Sequence, residues 1–77
     1  MPGLEHKLTK LGYRKYTDFI YVKHIRNLEY LKVDLEVDIS TLTGRISTDT
    51  KYYFIKEAND FMKAFHQLQE DLKELVH

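Results

Sequence analysis

The fold of this chain is decided by residues Leu28–Ile39, which read LEYLKVDLEVDI. From Tyr30 onward, polar residues at even positions alternate with apolar residues at odd positions. This period of two is typical of a β-strand with one buried face. The residues predicted to share that face are Leu31, Val33, Leu35, Val37 and Ile39. We therefore expect this stretch to be the central antiparallel strand of a sheet.

The chain has 77 residues, which is enough for a single small domain spanning residues 1–77. A domain of this length buries only about 60–65% of the surface that it exposes when unfolded, so its core must be small. With 43% hydrophobic residues and one proline, the composition predicts a folded domain. Because there is no cysteine, disulfides and cysteine-ligated zinc are excluded. Stability must come from packing or oligomerisation.

No apolar run in the sequence comes near the ~20 residues that a membrane-spanning helix needs. The N-terminal sequence MPGLEHKLTK lacks the apolar segment of a signal peptide. We therefore expect a cytoplasmic protein that is not associated with a membrane.

Charge is unevenly distributed along the chain, although the formal net charge is zero. Residues 1–27 contain six Lys and Arg against two acidic residues, whereas residues 28–77 contain six against ten. Such asymmetry can mark a docking surface for an acidic partner or for a second copy of the chain. It also arises by chance in chains this short.

The N-terminal third predicts a short helix followed by a strand. Leu4, Leu8 and Leu11 are spaced at i, i+4 and i+7, which places them on one helix face. Gly12 follows at the position where a left-handed cap would end the helix. Residues 14–25 are mainly aromatic and β-branched, which is typical of a strand.

The inward face of this first strand is ambiguous. A two-residue turn at positions 26–27 would direct Ile20 and Val22 inward. A three-residue loop would instead direct Phe19 and Tyr21 inward. We favour the two-residue turn, because it aligns Ile20 and Val22 with the β-branched face of the central strand.

The second turn is predicted over residues 41–44, where Gly44 would supply a positive φ angle. This turn pairs Ile39 with Ile46 on the buried face. The third strand, over residues 45–51, is rich in Ser, Thr and Asp and should be an exposed edge.

Beyond residue 54 the apolar period changes to threes and fours, which predicts a long amphipathic helix. Its apolar residues are Ala58, Phe61, Phe65, Leu68, Leu72 and Leu75. The residues predicted to lie on its solvated face are Lys56, Asp60, Lys63, Gln67, Glu70, Asp71 and Glu74. The predicted fold is therefore α+β, with a short N-terminal helix, a three-stranded antiparallel meander and a long C-terminal helix packed on one sheet face.

The opposite sheet face has no helix to cover it and is the predicted binding surface. The candidate binding residues are Phe19, Tyr21, Lys23, Tyr30 and Lys32. In the favoured register they cluster, because Tyr21 lies across from Lys32. Aromatic rings and lysines can bind the bases and phosphates of single-stranded nucleic acid. They can equally contact a protein partner or a second copy.

Two observations favour a protein partner over nucleic acid. The central strand also carries Asp34, Glu36 and Asp38, which would repel a phosphate backbone. The pI near 6.9 lacks the strongly basic character of a dedicated nucleic-acid-binding domain. We therefore expect a protein–protein interaction module that binds a partner or forms a homodimer. Single-stranded nucleic-acid binding is the alternative.

No catalytic residue, metal site or cofactor is expected. His66 and Glu70, one helical turn apart, supply two ligands where zinc needs three or four. Asp34, Glu36 and Asp38 could contact a divalent cation, but we interpret them as an exposed acidic stripe. No glycine-rich loop could hold a phosphate, and neither serine has an evident base nearby in the sequence. We predict that the chain is not an enzyme, and no small-molecule substrate is evident from the sequence.

The segments LGYRKY, VDLEVDI and TLTGRIST follow one another along the chain, and the last helix ends in LQEDLKEL. In this order they resemble the small proteins encoded in prophages and mobile elements of low-GC Gram-positive bacteria. The resemblance spans most of the chain and implies binding to a host or phage protein rather than catalysis. It assigns a role to no individual residue.

Overall fold

A computed structural model of the chain describes residues 3–48 and 55–76. Its elements in chain order are α1 (Leu4–Leu11), β1 (Arg14–Lys15), β2 (Ile20–Ile25), β3 (Val33–Asp38), β4 (Thr43–Thr48) and α2 (Ile55–Val76). The strands form one antiparallel sheet in the order β1-β2-β3-β4. The predicted α+β architecture is confirmed, but the sheet has four strands where three were predicted. No helix within these two ranges is long and apolar enough to cross a membrane.

The additional strand exists because a turn over residues 16–19 interrupts the predicted first strand. Thr17 stabilises this turn: its Oγ1 accepts hydrogen bonds from the backbone N–H groups of Phe19 at 3.3 Å and Ile20 at 3.0 Å. Threonine side chains compete in this way with the hydrogen bonds of a strand. The aromatic and β-branched run therefore folds into a hairpin of β1 and β2.

The cap of α1 directs an aromatic side chain into the core. Gly12 has a φ angle of 99°, so the left-handed cap predicted from the sequence is confirmed. The N–H groups of Gly12 and Tyr13 donate hydrogen bonds to the carbonyls of Thr9 at 3.1 Å and Leu8 at 2.9 Å. The chain reverses at this point, and Tyr13 is buried directly after it.

The register of β2 on β3 differs from the favoured prediction. Tyr21 lies opposite Val37 and Ile25 opposite Val33, so the odd-numbered residues of β2 face the helices. The strands are joined by residues 26–32 instead of a two-residue turn. Ile20 and Val22, predicted to face inward, therefore lie on the other face, and that prediction is wrong.

This longer connection is held by a buried carboxylate of α2. Asp60 Oδ2 accepts hydrogen bonds from the backbone N–H groups of Tyr30 at 2.7 Å and Leu31 at 3.2 Å. Asp60 is buried, although the sequence predicted it on the solvated face of the helix. Its bonds satisfy backbone donors that would otherwise be buried without an acceptor, and they place Leu31 in the core.

The register of β4 on β3 is shifted by four residues from the prediction. Leu35 lies opposite Ile46, where Ile39 was predicted. Because an even shift keeps every side chain on its predicted face, Ile46 still points toward the helices. The turn spans residues 39–42, and its positive φ angle is at Leu42 (55°) instead of Gly44.

Gly44 is required for the close packing of α2 on β4 and not for a turn conformation. A Cβ atom at this position would lie 2.7 Å from Leu68 Cδ1 and 3.0 Å from Leu68 Cγ. The missing side chain lets α2 approach the backbone of β4 closely. The contact positions α2 over β3 and β4.

The core lies between the two helices and one face of the sheet. Its buried apolar residues are Leu8, Tyr13, Tyr21, Ile25, Leu31, Val33, Leu35, Val37, Ala64, Leu68 and Leu75. The predicted burial of the apolar side of the central strand is confirmed, since Val33, Leu35 and Val37 are fully buried.

Replacing Gly44 with alanine should lower the free energy of unfolding by about 1–3 kcal/mol, because the new methyl group would overpack against Leu68. Urea denaturation followed by circular dichroism measures this change. Gly3→Ala is the matched control, since no atom lies within 4 Å of a Cβ at that position. A Gly44→Ala protein as stable as this control would contradict the close contact between helix and strand.

Candidate functional site

The sheet surface opposite both helices is the candidate functional site, and we call it the open face. It is formed by the alternate residues of the strands that do not point into the core. These residues are Arg14, Ile20, Val22, His24, Asp34, Glu36, Asp38, Thr43, Arg45 and Ser47. All of them are exposed or half-buried.

The acidic stripe predicted on the central strand lies on the open face, and two of its carboxylates contact neighbouring strands. Asp34 Oδ1 lies 2.8 Å from His24 Nδ1 on β2. Glu36 Oε2 accepts a hydrogen bond from Arg45 Nε on β4 at 2.9 Å. The Asp34–His24 hydrogen bond and the Glu36–Arg45 ion pair therefore hold neighbouring strands together.

The third carboxylate of the stripe, Asp38, stabilises the turn after β3. Asp38 Oδ1 accepts a hydrogen bond from the backbone N–H of Ser40 at 2.9 Å and another from its hydroxyl. These bonds favour the charged form and lower the pKa of Asp38 below its ordinary range. Across residues 3–48 and 55–76, no group of three His, Asp or Glu side chains is arranged to hold a metal ion.

A basic groove runs along the β1 side of the open face. Its lining residues are Gly12, Arg14, Lys15, Tyr16, Val22, His24 and Arg26. Lys15 lies at the rim, within 4.0 Å of Glu5 and 3.9 Å of Asp18, and all three side chains are largely exposed. The open face is therefore basic along β1 and acidic along β3. The charge asymmetry of the sequence becomes an asymmetry across this surface.

One end of the open face is apolar. Tyr16 is 75% exposed, Phe19 57% and Leu42 41%. Their two turns lie at the same end of the sheet, since the N–H of Ile39 donates a hydrogen bond to the carbonyl of Phe19 at 2.9 Å. We call Tyr16, Phe19 and Leu42 the apolar end. A half-open depression of about 440 Å³ beside it is lined by Tyr16, Thr17, Ile20, Glu36, Asp38, Thr43, Gly44 and Arg45.

The five candidate binding residues do not form one cluster. Tyr21, 3% exposed, and Lys23 lie on the covered face of the sheet. Tyr30 and Lys32 lie in the connection before β3, and the Tyr30 ring has the ammonium of Lys56 5.4 Å from its centroid. Phe19 is exposed in the turn at one end of the sheet. The predicted cluster is wrong because it depended on the inverted register of β2.

The sequence interpretation missed Tyr16, Arg14 and Arg45, which do belong to the open face or its rim. The turn residues Thr17 and Asp18 could have indicated Tyr16, because a threonine followed by an aspartate often marks a turn. A turn there exposes the aromatic residue just before it.

Lys23 has a structural role under α2. Its Nζ lies 3.1 Å from Asp71 Oδ2, which also accepts a hydrogen bond from the Tyr13 hydroxyl at 2.8 Å. The other carboxylate oxygen, Asp71 Oδ1, accepts a hydrogen bond from Gln67 Nε2 at 2.9 Å. Asp71 is only 1% exposed, although the sequence predicted it on the solvated face. We call Tyr13, Lys23, Gln67 and Asp71 the buried polar cluster.

The buried polar cluster also changes the titration of Tyr13. Burial of the phenol, followed by its hydrogen bond to the Asp71 carboxylate, raises the pKa of Tyr13 well above its ordinary value. The Lys23 ammonium lies 5.3 Å from the centroid of the Tyr13 ring. The cluster therefore ties α2, β2 and the end of α1 together through a neutral phenol and a paired carboxylate.

Comparison of the chain with known protein families, with curated proteins and with solved structures gives no match.

The contribution of Tyr13 to the free energy of unfolding should be lost at alkaline pH. Because the pKa of Tyr13 is raised on folding from its ordinary value of 10.0, its contribution is complete below about pH 10 and is lost as the pH rises further. Above pH 10 the free energy of unfolding should therefore fall more steeply for the unmodified chain than for Tyr13→Phe. At neutral pH, Tyr13→Phe should be less stable by about 1–3 kcal/mol, because Asp71 loses a hydrogen bond.

Urea denaturation at a series of pH values measures both effects. Tyr16→Phe is the matched control, since it removes the hydroxyl of an exposed tyrosine that lies outside the buried polar cluster. Equal slopes for the unmodified chain and Tyr13→Phe would contradict the assignment.

Proposed function

We propose that this chain is a non-enzymatic protein-interaction module and that its open face binds the partner. The observation that carries the proposal is the apolar end, where Tyr16, Phe19 and Leu42 are exposed beside an otherwise charged surface. Exposed apolar groups with a polar rim mark protein-binding surfaces. Aromatic residues at such surfaces supply a large share of the binding energy.

The charges of the open face indicate the chemistry of the partner. Glu36 is already paired with Arg45, and Asp34 is already hydrogen-bonded to His24. Arg14 and Arg26 line the basic groove. An acidic segment of a partner would therefore gain more from this surface than a basic one, because it would meet the guanidinium groups of Arg14 and Arg26. We infer a partner segment with acidic residues along the groove and an apolar side chain beside Tyr16.

Two further considerations support binding over catalysis. The carboxylates of the open face serve to pair strands or hold a turn, and the depression beside them is only half enclosed. Enzyme sites usually enclose the substrate and aim polar groups at it. The resemblance to prophage-encoded proteins implies the same class of function. That resemblance and the cytoplasmic location stay predictions.

Selection of a displayed library of random peptides on the full chain tests the proposal. Enriched peptides should combine acidic residues with a large apolar residue. They should bind Phe19→Ser roughly tenfold more weakly than the unmodified chain, because an exposed aromatic contact is lost. Fluorescence anisotropy with the labelled peptides measures the affinity.

Tyr30→Ser is the matched control, since Tyr30 is also an exposed aromatic residue but lies in the connection before β3. Its affinity for the enriched peptides should equal that of the unmodified chain. Peptides that depend on Tyr30 and not on Phe19 would contradict the proposal, as would the absence of any peptide that depends on Phe19.

Single-stranded nucleic-acid binding is a second candidate, favoured by the lining of the basic groove. Arg14, Lys15 and Arg26 would contact phosphates, and the exposed Tyr16 ring could stack on a base. Lys23 is no longer available for this role, because it is paired with Asp71. A labelled oligonucleotide that binds at about 50 mM salt, weakens steeply with added salt and fails to bind Arg14→Glu would replace the protein-binding proposal.

A further inference from the structure

A second surface lies on α2, between the side that faces the sheet and the charged side. Apolar residues recur there at alternating intervals of three and four, with one polar residue among them. They are Ile55, Ala58, Met62, Phe65, Gln69, Leu72 and Val76, and we call this set the helix stripe. This spacing is the heptad pattern with which one α-helix packs along another.

The helix stripe is not used by the core of its own domain. Ile55 is 81% exposed, Val76 63%, Met62 49% and Phe65 39%. The residues of α2 that are buried form a different set, namely Asp60, Ala64, Leu68, Asp71 and Leu75. Of the stripe, only Leu72 packs partly against the core. The stripe is therefore an apolar helix surface that is left without a covering element in the described part of the chain.

The stripe overhangs the β4 edge of the sheet. Asp71 contacts Lys23 on β2, and Leu68 contacts the backbone position of Gly44 on β4. Going around the helix from Asp71 to Leu68 therefore leads from the β2 side toward the β4 side. At 3.6 residues per turn, the next residues in this direction are Leu72 and Phe65. The outer edge of β4 lies on this side, and no strand in the described ranges pairs with it.

We propose that a second copy of this chain packs against this side, with the two α2 helices antiparallel along their stripes and the two β4 edges facing each other beneath them. The surface is distinct from the open face, so this proposal does not rest on the proposed function. Three properties of the helix stripe indicate that the partner is a second copy of the chain: its symmetry, its charges and its length.

The stripe is self-complementary when its direction is reversed. The positions from Ile55 to Leu72 are symmetric about the midpoint between Met62 and Phe65. In an antiparallel pair, Met62 of one copy therefore lies opposite Phe65 of the other at the centre. Ala58 lies opposite Gln69, so the polar side chain meets the smallest residue of the stripe.

The charges along α2 favour the same orientation. Its exposed charged residues are Lys56 and Lys63 in the first half and Glu70, Lys73 and Glu74 in the second. Lys73 lies 3.8 Å from Glu70, which leaves the second half negative. The two lysines of the first half outweigh the half-buried Glu57 and leave that half positive. An antiparallel pair sets opposite charges and opposite helix dipoles against each other. A parallel pair would align like charges.

The dimensions suit a stable dimer. The 22 residues of α2 span about 33 Å, which is long enough for three heptads. A standard interface buries about 800 Å² per partner, about a seventh of the 5861 Å² accessible surface of the chain. A domain with so small a core gains stability from such additional burial.

The molar mass in solution tests the proposal. Light scattering on the full chain at micromolar concentration should give twice the 9.3 kDa mass of one copy. Met62→Lys should weaken association roughly a hundredfold and give the monomer mass, because it places a charge at the centre of the interface. Circular dichroism should remain unchanged, since Met62 is exposed in the single copy.

Phe19→Lys is the matched control, because it puts the same charge at an exposed apolar position of the open face. This variant should remain a dimer. A monomeric unmodified chain would overturn the proposal. A dimer that is broken by Phe19→Lys but not by Met62→Lys would also overturn it, and would assign self-association to the open face.

The orientation can be tested separately because the chain has no cysteine. Ile55→Cys and Val76→Cys chains, mixed and treated with a bifunctional maleimide, should give the mixed cross-linked dimer, since the two helix ends meet only in an antiparallel pair. Each variant alone should give little product. Cross-linking of each variant to itself, or no cross-linking in the mixture, would overturn the antiparallel arrangement.

Discussion

The structure depends on which side of β2 faces the helices. Side chains alternate along a strand, so a slip of one residue would exchange every buried side chain of β2 with an exposed one. The observed register buries Tyr21 and Ile25 and brings Lys23 to the carboxylate of Asp71. With the strand inverted, Asp71 would be buried without its cation, which is costly in a small domain. The buried Lys23–Asp71 ion pair and the burial of apolar side chains therefore favour this register together.

The two candidate surfaces follow from this register. Because Lys23 is directed inward, the open face presents Val22 and His24 from β2. Its cross-strand contacts are the His24–Asp34 hydrogen bond and the Glu36–Arg45 ion pair. The exposed apolar side chains of the apolar end lie in the turns at one end of the sheet and not on the strands. On the other side of the molecule, α2 is fixed over β3 and β4 by Leu68 and Gly44, so its helix stripe projects past the sheet edge.

Much of the architecture could be predicted from local patterns. The alternation in β3, the cap at Gly12 and the period of α2 each depend on residues close in sequence, and each indicated its element correctly. The register of β2 depends instead on Lys23 and Asp71, which are 48 residues apart. No local pattern reports such a contact, and the turn chemistry of residues 26–27 by itself favours the other face of the strand.

The sequence did contain a signal for the buried carboxylates. Asp60 and Asp71 share one helix face with Ala64, Leu68 and Leu75, because their spacing follows the same period of threes and fours. An acidic residue within an apolar period indicates a buried carboxylate with hydrogen-bond donors nearby. Had the two residues been interpreted in this way, Lys23 would have been a candidate partner for Asp71. The candidate binding site would then have moved away from Lys23 and Tyr21.

The face of β2 that meets the helices can be measured directly by single-cysteine labelling of this cysteine-free chain. Thiol modification rates would be compared for His24→Cys and Ile25→Cys in the folded protein and in denaturant. The structure predicts that the cysteine at position 24 reacts nearly as fast in the folded as in the denatured chain, while the cysteine at position 25 is strongly protected until the chain unfolds. Protection at position 24 with fast labelling at position 25 would contradict the register and, with it, both proposed surfaces.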